Sequence, residues 1–160
     1  MGITPILHVN PDAFSEQALS EAGRILREGG LVVFPTETVY GLGANALDEA
    51  AARAIYAAKG RPCDNPLIVH LPDLSQLDTL CRKIPSKAFD LFAAFSPGPL
   101  TVILPKRPRI PDAVSGGLDT VAIRIPSHPV AAALLRQAAV PVAAPSANRS
   151  GRPSPTRLSH

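Results

Sequence analysis

Short apolar runs rich in β-branched residues recur along the chain, each ended by proline or polar turn residues. Leu31–Phe34 stops at Pro35, Leu67–Leu71 runs into Pro72, Leu100–Leu104 stops at Pro105, and Val140–Ala144 stops at Pro145. Runs of this length between turn residues read as buried strands. Thr120-Val121-Ala122-Ile123-Arg124-Ile125-Pro126 alternates as a further strand, with one cation facing inward. Between these runs the apolar spacing becomes helical. Ala18, Ala22, Ile25 and Leu26 share one face of a helix that Asp12 or Ser15 can cap and that Gly29-Gly30 ends near Glu28. Asp48 caps a second helix, whose last turn carries Lys59 and whose natural left-handed stop is Gly60. Asp73 can cap a helix around 74–82, Ser86 one around 87–95, and Ser127 or His128, with Pro129 near the start, one that runs to about Ala139. Ile6-Leu7-His8-Val9 carries a short alternation, at most a weak edge strand.

Strands alternating with helices predict an α/β fold, with an antiparallel portion near residues 100–125. There is no internal repeat, low-complexity linker or break in composition, so residues 1–160 read as a single domain. The final stretch from Ser154 to His160 resembles the entry to another helix, and on this reading the domain is incomplete at its C-terminus.

Composition narrows the classes. Hydrophobic residues at 46% and charged residues at 18% describe a folded globular chain. Aromatics at 4%, with no Trp, argue against reading single strands on aromatic platforms. A net charge of +3 and a pI near 9.2 permit contact with nucleotides or nucleic acid without demanding it. Cys63 and Cys81 fit neither a metal spacing nor a disulfide framework, and the four histidines show no metal spacing. With no secretory pattern after Met1 and no apolar run near the roughly 20 residues of a membrane helix, the expectation is a cytoplasmic protein without a membrane role.

Candidate chemistry gathers in four places. In Lys59-Gly60-Arg61-Pro62-Cys63-Asp64-Asn65-Pro66, two cations and an amide leave a helix end inside a frame of two stiff prolines. This is either an anion site or a pair of solvated helix-end cations. Thr36–Gly43 places hydroxyls, a carboxylate and two glycines after a strand, as a ligand loop or an ordinary connection. Neither a Walker nor a Rossmann glycine pattern is present. Ser146, Asn148, Ser150 and Ser154 form a polar stretch after the last strand, as phosphate or ribose contacts or a plain turn. Arg124, in its apolar strand, must either pair with a carboxylate such as Asp119 or Glu37, or receive an anionic ligand.

Together these stretches are far more specific than any one of them. Phe34-Pro35-Thr36-Glu37-Thr38-Val39-Tyr40-Gly41-Leu42-Gly43, Lys59-x-Arg61-Pro62 with Asn65-Pro66-Leu67 and His70, Pro97-Gly98-Pro99-Leu100-Thr101, Val121–Pro126 and Ser146-Ala147-Asn148-x-Ser150-Gly151 follow one another in an order that resembles the YrdC/Sua5 family. The resemblance implies a twisted mixed sheet with helices on its faces around a large open cavity. It implies an activity that joins L-threonine, bicarbonate and ATP into L-threonylcarbamoyl-adenylate and releases pyrophosphate. A downstream transferase complex would then move the threonylcarbamoyl group to adenosine 37 of ANN-decoding tRNA.

Carried over residue by residue, the resemblance gives ATP to Arg61, Asn65, Thr120, Ser146 and Ser154, with Lys59 and Asn148 completing their motifs. It gives threonine to Thr38, His70, Arg124 and the backbone around Ala144. Lys59 and Arg61 would carry catalysis by neutralising charge, Mg2+ would accompany the phosphates, and no side-chain metal motif is expected. Family members continue with a Gly-rich segment and a further Arg that this sequence lacks. Two other readings stand beside the synthase. One is a non-catalytic module of the same fold that binds double-stranded RNA. The other is the related carbamoyltransferase-type domain of hydrogenase maturation.

Overall fold

In the computed structural model, which describes residues 4–160, the six strands form one sheet in the order β1-β2-β6-β3-β5-β4. They span Val32–Phe34 (β1), Gly41–Asn45 (β2), Ile68–His70 (β3), Thr101–Pro105 (β4), Thr120–Arg124 (β5) and Val142–Ala143 (β6). Only β3 and β5 run parallel; every other neighbouring pair is antiparallel. The sheet is therefore mixed, and its β4–β5 hairpin is the antiparallel portion expected near 100–125.

Six helices surround it: α1 (Ser20–Arg27), α2 (Glu49–Lys59), α3 (Leu77–Leu80), α4 (Ser86–Phe95), α5 (Asp112–Ser115) and α6 (Pro129–Ala138). Local chemistry sets their ends. Asp48 accepts from the N–H groups of Ala50 and Ala51 at 2.9 and 3.2 Å, and Gly60 closes α2 with φ 59° and ψ 35°. At the other side of the fold His128 caps α6 by accepting from the Val130 N–H, and Pro129 occupies the first turn, where no donor is missed.

Several expectations are corrected. Residues 6–9 form no strand, and Ile6 and Leu7 remain largely exposed. The helix expected over 74–82 is a 3-10 turn at Leu74–Gln76 followed by the single turn of α3, and Pro85, not Ser86, stands at the cap of α4. The short α5, for which no element was expected, follows Pro111 as a single turn. Most consequentially, the loop expected over Thr36–Gly43 ends at Tyr40, because Gly41–Asn45 is a strand. Gly41 and Gly43 belong to the β1–β2 pairing, where Phe34 lies across them. A Cβ at Gly43 would sit 2.8 Å from the Phe34 ring and 2.9 Å from a Val142 methyl, so the glycine makes room for aromatic packing.

The two faces of the sheet are covered unequally, and this positions the site. On one face Ala44, Leu67, Val69, Leu104, Val121, Ile123 and Ala143 are buried beneath α2, α4 and α5 in the main core. On the other, α1 and α6 pack with Phe34, Val142 and Ala144 in a second core that covers the β1-β2-β6 side. The remaining half of that face is left open. There Ile103 is 67% exposed, and Ile68, Thr101, Pro105, Thr120 and Ala122 are only half-buried. Strand alternation places these residues on one side, because Ile103 pairs with Ala122, and Ile68 pairs with Ala122 from the other neighbour. This uncovered half-face, called the hollow below, lies on the side of the sheet opposite the main core.

Candidate active site

The floor of the hollow is β3, β5 and β4, and its two ends carry different chemistry. Arg124 closes β5 in register with His70 on β3 and Thr101 on β4. Thr120 opens β5 on the same side, four residues earlier. At about 3.3 Å per residue the two lie roughly 13 Å apart along the strand. Arg61 and Asn65 belong to the loop just before β3, which is the Thr120 end.

At the Arg124 end the arginine as a whole residue is 8% exposed, and its guanidinium is ordered by three contacts. Nη2 donates to Glu37 Oε1 at 2.7 Å and to Thr38 Oγ1 at 3.2 Å, and Nε donates to the Gly98 carbonyl at 3.3 Å. Of the two fates open to Arg124 in the sequence, pairing with an acid is therefore realised, and Glu37 is the acid. Nη1 has no hydrogen-bond partner among the described residues, and it is not sealed from solvent. Burial pushes the Glu37 carboxyl up, but the Arg124 guanidinium and nearby backbone N–H groups outweigh it and hold the carboxyl below its ordinary value. Thr36 shapes the loop. Its Oγ1 accepts from the N–H groups of Thr38 and Val39, both at 3.2 Å, and donates to the Val39 carbonyl at 2.6 Å.

His70 lies beside this group and is nearly sealed, at 3% exposed. Its Nδ1 is 3.1 Å from the Ile68 carbonyl, which can only accept, so the proton sits on Nδ1. Phe34 meets the imidazole edge-on, with ring centroids 6.1 Å apart. Burial, with the Arg124 charge second, brings its pKa down to about 4, so the ring is neutral near pH 7. Ala144 commits its N–H to the Ile68 carbonyl at 2.8 Å, so a ligand at this residue would have to use its carbonyl.

At the other end Lys59 is not the solvated helix-end cation that one of the two readings offered. Lys59 is 4% exposed, and its ammonium donates to the carbonyls of Ser146 and Asn148, while its own carbonyl accepts from the Ser150 N–H at 3.0 Å. The lysine thus ties the chain after β6 to the end of α2, with one of its three N–H groups left over. Burial and then the neighbouring Arg61 charge lower its pKa, which places two cations close together. Arg61 is held by carbonyls of its own loop, Nε to Asn65 at 3.3 Å and Nη2 to Pro66 at 3.1 Å. The Asn65 side chain is exposed. Tyr56, which no sequence pattern singles out, anchors this loop, with its hydroxyl 3.0 and 2.8 Å from the carbonyls of Asn65 and Ala113.

Ser146, Asn148 and Ser154 converge. The Asn148 side-chain oxygen accepts from both serine hydroxyls, and its amide donates to the carbonyls of Arg149 and Arg152 at 2.9 and 2.8 Å. This knot is laced to the Thr36–Tyr40 loop by Ala147 N–H to the Tyr40 carbonyl and Tyr40 N–H to the Pro155 carbonyl, at 2.8 and 2.9 Å. It forms the wall on the β2 side, where Ser146 bridges to Gly41. Two separate hollows, of about 350 Å³ beside Phe95, Pro99 and Leu100 and about 710 Å³ between Arg82, Lys106 and Asp119, touch none of these groups.

A family model described as "Telomere recombination" (Sua5, YciO, YrdC) matches residues 24–160. A threonylcarbamoyl-AMP synthase of Pyrococcus abyssi is 52% identical over 158 residues, covering 99% of this chain and 46% of its own length. That of Bacillus subtilis is 54% identical over 147 residues, covering 91% of this chain and 42% of its own. The crystal structure of P. abyssi Sua5 complexed with L-threonine superposes with a TM-score of 0.90 at 53% identity, over 92% of this chain and 44% of that one. The chain thus spans less than half the length of these relatives. The ordered motifs, the mixed sheet and a family match over most of the sequence agree: the chain belongs to the Sua5/YciO/YrdC family.

Proposed function

We propose that the open half-face binds L-threonine at the Arg124 end and ATP at the Arg61 end, and that the two are joined through bicarbonate into threonylcarbamoyl-adenylate with release of pyrophosphate. The observation that carries this reading is the pairing of unlike ends on one floor. Arg124 keeps a free N–H edge beside a hydroxyl and a carboxylate, which suits an amino acid. Lys59 and Arg61 crowd two positive charges, which an incoming phosphate would relieve. Thr120 faces the hollow at this second end, and the serine–asparagine knot lies alongside as a wall.

No nucleophilic side chain is required. The threonine amine condenses with bicarbonate, releasing water, to give a carbamate, whose oxygen attacks the α-phosphorus while the bond to the α–β bridging oxygen breaks and pyrophosphate leaves. Catalysis then consists of holding two charged reactants in line and neutralising phosphate charge. Arg61 and the remaining N–H of Lys59 are the groups to do so, and Arg124 fixes the carboxylate. Thr38 adds a hydroxyl there, His70 a neutral ring beneath, and Ala144 its carbonyl. Asn65, Ser146, Asn148 and Ser154 would contact the nucleotide once the serine hydroxyls turn from Asn148.

Among the described residues no group of three His, Cys, Asp or Glu is placed to hold a metal. Mg2+, a hard cation that prefers oxygen ligands, is assigned to the phosphate oxygens of ATP as part of the substrate. tRNA and a downstream transferase are proposed as the consumers of the product. Among the described residues no helix is long and apolar enough to cross a membrane. The test is pyrophosphate release from ATP by this chain: release is expected only with threonine and bicarbonate both present, and equal release without threonine would refute the reading.

A further inference from the structure

The ion pair at the Arg124 end poses a problem for any simple carboxylate ligand. Glu37 already neutralises Arg124, and both side chains are largely buried, 20% and 10% exposed. A carboxylate arriving at the free Nη1 would bring a second negative charge to one guanidinium. The local sum would fall from zero to minus one in a place where water screens poorly. A zwitterion leaves that sum at zero. Its carboxylate would take Nη1 while its ammonium, on the adjoining carbon, comes within hydrogen-bond reach of the Glu37 carboxylate.

We infer that Glu37 is a specificity-determining residue: it recognises the α-ammonium group of the substrate amino acid, while Arg124 recognises its carboxylate. This rests on the proposed threonine end of the hollow and adds to it a group that the carried-over motif residues do not include. The pair Glu37–Arg124 is then a template for a zwitterion, set 2.7 Å apart before any ligand arrives. Thr38, whose Oγ1 is 3.2 Å from the same Nη2, stands beside the template, where a third substituent of the amino acid would project. Glu37 favours the amino acid only as the ammonium form. Once the amine has become a carbamate, the same carboxylate repels it, which drives the new anion along the floor toward Arg61 and Lys59.

The experiment is calorimetric titration of the chain with L-threonine and with (R)-3-hydroxybutyrate, which is threonine without its amino group. The wild-type chain is expected to bind threonine and to reject hydroxybutyrate by tenfold or more, roughly the loss of one charge-assisted contact. Glu37→Gln keeps the size and an acceptor for Arg124 but removes the charge. It should weaken threonine roughly tenfold or more and strengthen hydroxybutyrate, so that the preference collapses. A Glu37 that merely neutralises Arg124 would, on removal, shift both affinities in the same direction and leave their ratio intact, and that result overturns the inference while sparing the threonine end. Wild-type chain that binds both ligands alike overturns it without any variant. Wild-type chain that binds neither overturns the threonine end itself, and the inference with it.

Discussion

His70 shows how one side chain joins the fold to the site. It is buried between Phe34 and Arg124, and its pKa is lowered to about 4, against about 6.5 when unfolded. Below pH 6.5 the unfolded chain takes up a proton that the folded chain refuses. The stability contributed by the neutral ring is therefore complete above pH 6.5 and lost as pH falls from there toward 4. Between pH 7 and pH 4.5 this amounts to about 2–3 kcal/mol. Urea unfolding at the two pH values should show that loss, and His70→Gln should lack it. Parallel losses in the two proteins would contradict the buried neutral ring. Glu37 acts in a lower window: its carboxyl is held below its ordinary value, so what it contributes is lost only as pH falls below the usual carboxylate range.

The residues themselves were legible in the sequence more readily than their partners. Arg124 stands out because a cation in an apolar strand must be compensated. That its partner is Glu37, 87 residues away, and not the nearby Asp119 is decided by the β-strand register and by the Thr36 turn. Lys59 reads as a charge looking outward. Its contacts with Ser146 and Asn148 cross a similar distance in sequence, and nothing local announces them. Tyr56 passes for an ordinary helix residue until its hydroxyl is seen holding the proline loop.

At the scale of elements, end signals carried most of the information. Asp48 and Gly60 bound α2, and Ser15, Asp73 and His128 cap where their side chains suggest. What failed was the end of the Thr36–Gly43 loop, because Gly41-Leu42-Gly43, with two glycines in three residues, looks flexible and is a strand. Their reason lies on another strand: Phe34 needs the space. Gly43→Ala should force Phe34 or Val142 aside and cost about 1–3 kcal/mol, the usual range for overpacking. A lowered thermal midpoint would register it, and an unchanged midpoint would show that the ring has room to spare. The same shift should loosen the edge contact of Phe34 with His70, so the substitution is expected to disturb the threonine end from beneath.

The whole molecule depends on unequal covering of one sheet. Apolar periodicity shows that α1 and α6 are amphipathic, but only the order β1-β2-β6-β3-β5-β4 determines that they cover half a face. The uncovered half becomes a floor about 13 Å long between Thr120 and Arg124, with a different ligand chemistry at each end. If that division holds, the ends can be disabled one at a time. Calorimetric titration of Arg61→Ala and Arg124→Ala with ATP and with threonine measures this directly. The expected result is a crossed pattern: Arg61→Ala loses roughly tenfold to a hundredfold in ATP affinity and keeps threonine, and Arg124→Ala does the reverse. Variants that lose both ligands equally, or neither, would contradict a floor with two distinct ends.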